Sequence, residues 1–376
     1  MKYCVTCLST DTRPNTLFSQ SGKCPACDVF ISHEGIDWDS RKKELQNIVQ
    51  FGKENSSSGY DCIVGVSGGK DSTLQALYVR DVLKMNPLLV SLNYPPEHIS
   101  ITGAKNISNL ISHGFDCINV SCAPKTWKIL MKHALEKYGN WAKATEIALF
   151  SSVPRAAIAH KIPLIWWGEN ASVVLGDLKM AGATPSDGNR LKYSNTLDGG
   201  NVDWITELGF EHSQVMQYLY PSDENMNKAG LKIIFLAHFW DEFTPFINGN
   251  RSAVLGLEVK TPNIYDADFW GTSMLDEDFM TVNMMIKWLK FGFGKATDNV
   301  NDEIRLGRMT RDQAKILVEK FDGKCPDNII DSFCSYLDIG KSEFWLIVDK
   351  FVDKKLFTKI SEGVYKPNFK VGINFE

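Results

Sequence analysis

Short apolar runs alternate with amphipathic stretches along most of the chain between residues 60 and 239. Runs rich in Val, Ile and Leu are typical of buried strands, and apolar positions three and four apart are typical of helices. The pattern predicts strands at 60–66, 88–93, 115–121, 163–167 and 232–239, and helices at 38–53, 72–84, 100–113, 125–138, 145–160 and 275–291. Strands that alternate with helices over short connections predict a doubly wound α/β fold with a parallel sheet covered on both faces.

The pattern changes at both ends of this region and once inside it. Residues 1–34 are polar and turn-rich and are predicted to form a cysteine-containing module, followed by a helix and a Ser-rich linker over 35–59. We predict the main domain at 60–300, and the segment at about 171–230 within it is too long for a simple loop and is expected to fold as an insertion or as a lid over the site. Helical spacing predicts a small helical C-terminal domain at 301–376.

Four of the nine cysteines form two close pairs near the N-terminus. Cys4, Cys7, Cys24 and Cys27 have the spacing C-x2-C-x16-C-x2-C, which suits a zinc-ribbon-like site with four thiolates around one tetrahedral ion. Four protein ligands leave no position for water, so we predict structural Zn²⁺. An iron–sulfur site with the same ligands and unligated thiols are the alternatives. The other five cysteines lie among apolar residues and are predicted to be ordinary core residues.

Charge and hydropathy narrow the classes of partner. A formal net charge of -4 and a pI near 6.0 offer no basic face for long nucleic acid. No apolar run reaches the ~18 residues of a membrane span, and the residues after Met1 do not resemble a signal peptide. We therefore expect a cytoplasmic protein without membrane insertion and without disulfides.

The first predicted strand ends in Ser67-Gly68-Gly69-Lys70-Asp71-Ser72-Thr73. Two glycines between a strand and a helix let the backbone approach an anion, and the helix N-terminus offers unpaired N–H groups. This is not a Walker loop, because Val64 stands where that motif has its first glycine and Asp71 follows the lysine. The order S-G-G-x-D-S resembles the pyrophosphate loop, or PP-loop, of the ATP pyrophosphatases. These adenine nucleotide α-hydrolase-like enzymes split ATP into AMP and pyrophosphate.

Each residue type in this segment suits one part of such a reaction. We expect the backbone N–H groups at 68–72 and the hydroxyls of Ser67, Ser72 and Thr73 to bind pyrophosphate. Lys70 is expected to neutralise developing charge, and Asp71 to bind Mg²⁺ or to brace the loop. A plain carboxylate at a helix N-terminus is the alternative for Asp71.

Ligands of parallel sheets bind beyond the carboxyl ends of the strands, so the residues just after the other strands are further candidates. Asn93 ends the second predicted strand and is assigned to the nucleotide site. Gly168, Glu169 and Asn170 come directly after the fourth strand and are assigned to the substrate site. We expect Glu169 to project into the cleft and bind Mg²⁺ or the incoming amine, and the alternative is a surface carboxylate without function.

A Gly-rich segment at 292–298, followed by a basic block at 303–310, forms a further candidate. We interpret it as a mobile loop that closes on phosphates, and the alternative is a solvated charged face. Its candidate residues are Lys295, Asp298, Arg305 and Arg308.

The cysteine pairs, the segment 67–73, Trp166-Trp167-Gly168-Glu169-Asn170 and the block 291–310 together resemble the N-acetyl sugar amidotransferases of bacterial surface-glycan biosynthesis. The resemblance spans essentially the whole chain. It implies that an acetamido group on a sugar or nucleotide sugar is adenylated by ATP and converted by ammonia into an acetamidino group. It places this reaction in the biosynthesis of lipopolysaccharide and its O-antigen, of capsule or of flagellin glycan. The residues expected to act in catalysis are Lys70, Asp71, Glu169 and Lys295, and those expected to contact substrate are Gly168, Glu169, Asn170, Asp298, Arg305 and Arg308.

The chain shows no ammonia source of its own. Lys2 stands where a fused glutaminase would expose its cysteine, and no G-x-C-x-G nucleophile elbow is found. The sequence therefore predicts a separate glutaminase subunit as partner, as the family resemblance also implies.

Two other classes remain. A PP-loop tRNA thiolation enzyme also joins cysteine pairs to this loop, although its chemistry needs reactive cysteines near the cleft, for which Cys117 and Cys122 are the candidates. A non-catalytic scaffold is the third class, and the intact loop at 67–73 argues against it.

Overall fold

The computed structural model describes residues 1–30, 35–168, 170–261 and 268–376 of the chain. The strands in these residues are β1 (Cys62–Val66), β2 (Pro87–Asn93), β3 (Cys117–Ser121), β4 (Leu164–Trp167), β5 (Lys232–Phe235), β6 (Phe357–Ser361) and β7 (Val364–Pro367). The helices are α1 (Pro25–Asp28), α2 (Trp38–Asn55), α3 (Lys70–Asp81), α4 (Ile101–Ser112), α5 (Pro124–Tyr138), α6 (Ala142–His160), α7 (Ala171–Val174), α8 (Asp203–Thr206), α9 (Asp223–Lys228), α10 (Pro245–Val254), α11 (Met280–Phe291), α12 (Lys295–Arg305), α13 (Arg311–Phe321), α14 (Asp327–Tyr336) and α15 (Lys341–Asp349).

Five strands form a parallel sheet in the order β3-β2-β1-β4-β5. Val64 in the middle of β1 lies opposite Leu89 of β2 on one side and Trp166 of β4 on the other. The strand order reverses at β1, because the chain first builds the sheet toward β3 and then returns to place β4 on the other side. Loops that leave such a switch point in opposite directions open a crevice between them. The doubly wound α/β fold expected from the sequence is confirmed.

The two faces of the sheet are buried by different helices. Val64 and Trp166 pack with apolar residues of α2, α3 and α4 on one face. Ile63 and Ile165 pack with residues of α6 on the other. Successive side chains of a strand point to opposite faces, so a strand covered on both faces is a continuous apolar run. This is the physical origin of the runs that identified the strands in the sequence.

The N-terminal cysteine module packs against the C-terminal region. Met1 and Phe375 exchange two hydrogen bonds, N to O, of 2.6 and 2.8 Å. Arg311 of α13 donates to the backbone carbonyls of both Cys4 and Cys7. The C-terminal region is helical, as expected, and it ends in an antiparallel hairpin of β6 and β7 that the helical pattern did not indicate.

Three predicted boundaries are corrected. The strand predicted at 232–239 stops at Phe235, and the chain continues as a 3₁₀ turn. The helix predicted at 275–291 begins at Met280, because the Glu277 carboxylate accepts the N–H groups of Phe279 and Met280 at 2.6 and 2.8 Å and so marks the helix start. Helix α12 runs across the predicted domain boundary between 300 and 301.

The insertion at 171–230 consists of short helical segments that lie along the edge of the sheet. Gly188 N donates to Ile233 O at 2.7 Å, and Phe235 N donates to Ser186 O at 2.9 Å. The insertion therefore pairs with β5, the edge strand, whose free backbone groups are otherwise a template for association. None of the described helices combines the length and the apolar character needed to cross a bilayer.

Candidate active site

The loop between β1 and α3 folds back on itself at the switch point. Gly68 has a φ of +76°, and a Cβ placed there would lie 2.6 Å from the backbone N of Ile107 in α4. Gly69 N donates to Ser67 Oγ at 3.3 Å, and Ser67 N donates to Ser72 Oγ at 3.4 Å. The serine hydroxyls thus close the loop, and the missing side chain at Gly68 lets α4 approach it.

We expect Gly68→Ala to lower the free energy of unfolding by about 3 kcal/mol, because it combines an unfavourable left-handed backbone with overpacking. Gly59→Ala is the matched control, since Gly59 also has a positive φ of +88° but has no atom within 4 Å of the position of a Cβ. The control should lose only about 1 kcal/mol. Urea denaturation measures both, and equal losses would contradict the packing argument.

Asp71 is held by two partners. Its Oδ1 accepts a hydrogen bond from Asn248 Nδ2 at 2.6 Å, and its Oδ2 accepts one from Lys70 Nζ at 2.5 Å. Ser252, one turn after Asn248 on α10, donates to the carbonyl of Lys70 at 2.7 Å. Helix α10 therefore secures the start of α3. The Asp71 side chain remains 28% exposed and faces a cavity beside the loop, so it braces the loop and also lines the site.

The cavity against this loop has a volume of about 300 Å³. The loop supplies Ser67, Gly69, Asp71 and Ser72 to the wall, the end of β4 supplies Trp167 and Gly168, and Asp276 also lines it. Gln75 reaches the cavity from α3, and its Nε2 has no hydrogen-bond partner among the described residues although the residue is only 1% exposed. A buried donor left without a partner is costly, so its position in the wall indicates a polar ligand.

Four of the predicted nucleotide-site residues do not line this cavity, and the first of them, Gly68, packs against α4 instead. Lys70 is only 7% exposed and its ammonium bonds Asp71, so the geometry does not support the expected role in neutralising pyrophosphate. Thr73 is fully buried beneath the loop, and its hydroxyl has no hydrogen-bond partner among the described residues. Asn93 ends β2 in register with Ser121 and lies outside the wall.

A second cavity has a volume of about 250 Å³, and residues close in sequence to the wall of the first cavity line it. Gly168 lines the first cavity and Asn170 the second, and Glu169 between them lies outside the described residues. Asn170 Oδ1 accepts from Ser172 N at 2.9 Å, and its Nδ2 donates to Pro185 O at 2.8 Å. Its amide therefore caps α7 and anchors the insertion.

The insertion contributes to the second cavity and not to the first. Val173, Val174 and Pro185 line the second cavity, whereas none of the described residues of 171–230 lines the cavity at the phosphate loop. Of the two expectations for this segment, the described residues fit an insertion and form no lid over the phosphate loop. The insertion pairs with the edge strand, and that edge lies to one side of the switch point.

The block at 292–310 is not the mobile loop expected from its glycines. Gly292 ends α11 with a φ of +77°, and α12 begins three residues later, at Lys295. The Asp322 carboxylate caps α12 by accepting N–H groups from Gly294 and Ala296, both at 2.8 Å. Burial raises the pKa of Asp322 to about 6. Residues from Lys295 onward therefore form a capped helix, so the interpretation of this segment as a glycine-rich loop is wrong.

Asp298 lies inside the protein rather than facing a ligand. Its carboxylate pairs with Arg13 of the cysteine module and, at 2.7 Å, with Lys287 of α11. Both cations also lie over the ring of Phe293, at 4.2 and 4.7 Å from its centroid. Burial alone would raise the pKa of Asp298, but the facing guanidinium and ammonium outweigh it and hold the pKa well below its usual range. The residue joins the module to the C-terminal region.

Two of the other candidate residues of this block form ion pairs inside it, and the third lies at the start of its helix. Arg305 pairs with Asp302 and donates to Val174 O at 2.8 Å, and it reaches the wall of the second cavity. Arg308 pairs with Glu303 at 2.6 Å. Lys295 begins α12 near Asp298 and Asp302, and it lies outside the walls of both cavities. The structure therefore brings none of these three to the phosphate loop.

The four N-terminal cysteines come together as the spacing predicted. Their Sγ atoms all lie within 4.8 Å of one another, and the residues are at most 7% exposed. With Zn–S bonds of about 2.3 Å, the edges of a tetrahedral site are about 3.8 Å. The Cys7 and Cys24 sulfurs are 3.7 Å apart. A cubane cluster places each sulfur on a different iron and spreads the sulfurs further, so this spacing suits a single ion.

Asp276 and Asn248 are the residues that sequence reasoning missed. Asp276 does not come directly after a strand, which is where candidate site residues were sought. It lies in the turn before α11, where an acidic residue is usually interpreted as a signal for the start of a helix. Asn248 and Ser252 are four residues apart and therefore share one face of α10. That spacing was the available signal, but it did not indicate which element the face would contact.

The comparison with protein families gives one result. Residues 264–370 match the model described as "LPS biosynthesis protein WbpG-like, C-terminal domain". The match includes α11 to α15, the hairpin and Asp276, so it includes part of the wall of the cavity at the phosphate loop. Among curated proteins, an uncharacterised protein of Methanocaldococcus jannaschii is 26% identical over 112 residues. That alignment covers 29% of this chain and 39% of the relative, so less than half of the relative is spanned.

Solved structures similar to this chain include three enzymes. An NH3-dependent NAD synthetase from Campylobacter jejuni is 15% identical, with a TM-score of 0.29 and coverage of 61% of this chain and 98% of that one. The U34-tRNA thiolase NcsA from Methanococcus maripaludis, with its [4Fe-4S] cluster, is 12% identical, with a TM-score of 0.35 and coverage of 85% and 87%. The NMN synthetase from Francisella tularensis is 14% identical, with a TM-score of 0.29 and coverage of 61% and 99%. Likeness at these scores carries no argument about function.

Proposed function

We propose that the protein is an AMP-forming, ATP-dependent amidotransferase that converts an acetamido group of a sugar into an acetamidino group in bacterial surface-glycan biosynthesis. The observation that carries the proposal is the cavity at the switch point. Its wall includes the braced S-G-G-x-D-S loop and also Asp276, from the segment that matches a WbpG-like domain of lipopolysaccharide biosynthesis. A loop suited to phosphate and a segment similar to a domain of lipopolysaccharide biosynthesis thus line the same cavity, which supports the proposal.

Each group of residues in the cavity wall has a separate role in the proposed reaction. Backbone N–H groups at the start of α3, with the hydroxyls of Ser67 and Ser72, hold the leaving pyrophosphate. The Asp71 carboxylate suits Mg²⁺, because it faces the cavity and oxygen is the ligand that this ion prefers. Bound Mg²⁺ would offset the charge of the phosphates. Gln75 Nε2 donates to a phosphate or amide oxygen, and Trp167 and Phe150 exclude water from the activated carbon.

Ammonia is supplied, in this proposal, by a separate glutaminase subunit. The sequence contains no glutaminase nucleophile motif, and the product nitrogen must come from ammonia once the amide oxygen leaves with AMP. Purified chain is therefore expected to use ammonium salts but not glutamine. Turnover with glutamine by the purified chain alone would refute this part.

The decisive experiment measures ATP–pyrophosphate exchange and AMP release. The purified chain is incubated with ATP, Mg²⁺, ammonium chloride and a panel of nucleotide-linked N-acetyl sugars, and in parallel with bulk tRNA and a sulfide donor. We expect AMP release to require an acetamido sugar and to increase when ammonium is added. AMP release that depends on tRNA would instead support thiolation, and no AMP release with either acceptor would support the scaffold.

Thiolation is the alternative that the loop leaves open, and three observations weigh against it. Burial raises the pKa of Cys117 and of Cys122 to about 11, which disfavours the reactive thiolate. Neither cysteine lines the cavity at the phosphate loop. The sulfur spacing in the N-terminal group also suits a single ion better than an iron–sulfur cluster.

We propose Zn²⁺ as the ion of that group, in a structural role. The four sulfurs provide a closed tetrahedral site with no place for substrate. We expect one zinc per chain by elemental analysis, and we expect Cys24→Ser to lose it and to lower the unfolding temperature. Cys334→Ser is the control, because Cys334 is also buried but lies in the core around α14. Full folding of wild-type protein without metal, or retention of zinc in Cys24→Ser, would contradict the assignment.

A further inference from the structure

Asp276 is a carboxylate in the wall of the cavity at the phosphate loop, and no described cation pairs with it. The cation that acts on it most, Lys260, is already bonded to Asp278 at 3.1 Å and to the carbonyl of Met274 at 2.7 Å. The neighbouring acid, Glu277, accepts hydrogen bonds from two backbone N–H groups and faces His98 Nε2 at 3.1 Å. Among the described residues, Asp276 thus forms no ion pair, and the backbone N–H groups of Asp276 and Glu277 only partly offset its charge.

The position of Asp276 is set by its backbone. Ser100, the N-cap of α4, donates its N–H to the Asp276 carbonyl at 2.9 Å. A Cβ on Gly103 would lie 2.5 Å from the Asp276 Cα, so α4 packs directly on this residue. His98 holds the adjacent Glu277, and its Nδ1 accepts from Trp127 Nε1 at 3.0 Å. The backbone of Asp276 is therefore fixed by α4, which limits the places in the wall that its carboxylate can occupy.

The surroundings of Asp276 raise the affinity of its carboxylate for a proton. Burial and the neighbouring Glu277 together raise the pKa of Asp276 to about 6, against the opposing effect of the backbone N–H groups of Asp276 and Glu277 and of the Lys260 ammonium. Asp71 lies in the same cavity wall, and Tyr94, whose own pKa is raised well above its usual value by burial, stays neutral nearby. A carboxylate of this kind is charged at neutral pH and accepts a proton more readily than an exposed aspartate.

The proposed reaction requires such a group. It starts from a neutral amide and ends in a cationic amidine, so positive charge develops on nitrogen within the site. We propose that Asp276 is the general base for ammonia addition and the counterion of the amidinium product. This inference rests on the proposed function and assigns one of its steps.

The step balances in atoms and in charge. Ammonia adds its lone pair to the carbon of the O-adenylated, N-protonated imidate, forming the new C–N bond and a tetrahedral centre that carries –NH3⁺. The Asp276 carboxylate takes one proton from this nitrogen. The nitrogen lone pair then forms the C=N bond as the C–O bond to AMP breaks, and AMP leaves with that electron pair. The amidinium remains, and the proton on Asp276 passes to solvent.

Asp276→Asn tests the proposal, because it removes the base but keeps the size of the side chain. We expect ATP–pyrophosphate exchange with an acetamido sugar to stay within about threefold of wild type, because exchange reports activation alone, whereas amidine formation with ammonium chloride falls about 100-fold or more. Asp338→Asn is the control, since the Asp338 side chain is 79% exposed, lies outside the wall and has Lys128, which does not act on Asp276, as its ion partner. It should change neither rate beyond about twofold.

A pH profile gives a second readout. Expressed per free ammonia, the wild-type amidination rate should rise as pH increases through about 6, where Asp276 loses its proton. Asp276→Asn should lack this limb, and Asp276→Glu should restore part of the rate and shift the limb. The glutamate variant also serves if the asparagine variant does not fold.

Three results would overturn the assignment. A parallel loss of exchange and amidination in Asp276→Asn would place the carboxylate in nucleotide or Mg²⁺ binding. Amidination close to the wild-type rate in that variant would remove it from the step. Absence of exchange in wild type with every acetamido sugar would instead refute the proposed function, and with it this step, so the two failures are distinguishable.

Discussion

Asp71→Asn is expected to reduce ATP–pyrophosphate exchange by about 100-fold or more, the loss typical when one preorganised electrostatic group is removed. Asp71 is the carboxylate at the start of α3 that lines the cavity, and the asparagine cannot supply its charge to a metal–phosphate complex. The amide still offers an oxygen to Asn248 Nδ2, so the contact between α3 and α10 is retained. Circular dichroism should therefore report a folded protein.

Asp81→Asn is the control for this prediction. Asp81 is the last residue of the same helix, its side chain is 54% exposed and its ion partner is Arg80. Exposed ion pairs contribute little, so exchange by this variant should remain within about twofold of wild type. Exchange by Asp71→Asn at more than a third of the wild-type rate would remove Asp71 from the mechanism and leave it as a loop brace.

Asp298→Asn is expected to lower the free energy of unfolding by about 3–5 kcal/mol, because it leaves two cations without their shared anion inside the protein. Arg13 is 8% exposed, Lys287 is 23% exposed, and the Asp298 side chain itself is 11% exposed. This loss is a large share of the ~5–15 kcal/mol by which domains are usually stable. Urea denaturation at neutral pH measures it.

A control variant and the pH dependence of the unfolding free energy give two further checks on the role of Asp298. Asp312→Asn removes an exposed partner of Lys315, with 91% of its side chain accessible, and should cost less than about 0.5 kcal/mol. Because the folded state holds the pKa of Asp298 below its usual value, its contribution to stability is complete above about pH 4 and is lost as the pH falls toward the folded pKa. A substrate-contact role would instead raise KM and leave stability unchanged.

Much of the sheet could be predicted because its signals are local. The central strands β1, β2 and β4 are runs buried on both faces. The start of the helix predicted at 100–113 is local as well, because the Ser100 hydroxyl accepts the N–H of Gly103, three residues on, at 2.8 Å. The phosphate loop is also local, since strand, glycines and helix start lie within one short segment. The gathering of four cysteines followed from their spacing in the same way.

The candidate residues beyond the loop were harder to assign, because their partners are distant in the chain. The glycines near Lys295 suggested a loop, but Asp322, 26 residues after Ala296, caps a helix there. Asp298 seemed available to substrate, yet it pairs with Arg13, 285 residues earlier. Charge and glycine content describe a segment alone and contain no information on what packs against it.

Local pattern was thus sufficient for the doubly wound sheet, the phosphate loop after β1 and the cysteine site, since each depends on residues that are close in sequence. Tertiary packing alone decided that α10 braces Asp71, that the 292–310 block forms a buried connection to the cysteine module, and that Asp276 joins the wall of the cavity. The physical reason is that burial and partner choice determine the role of a charged side chain. Both depend on which distant elements come into contact.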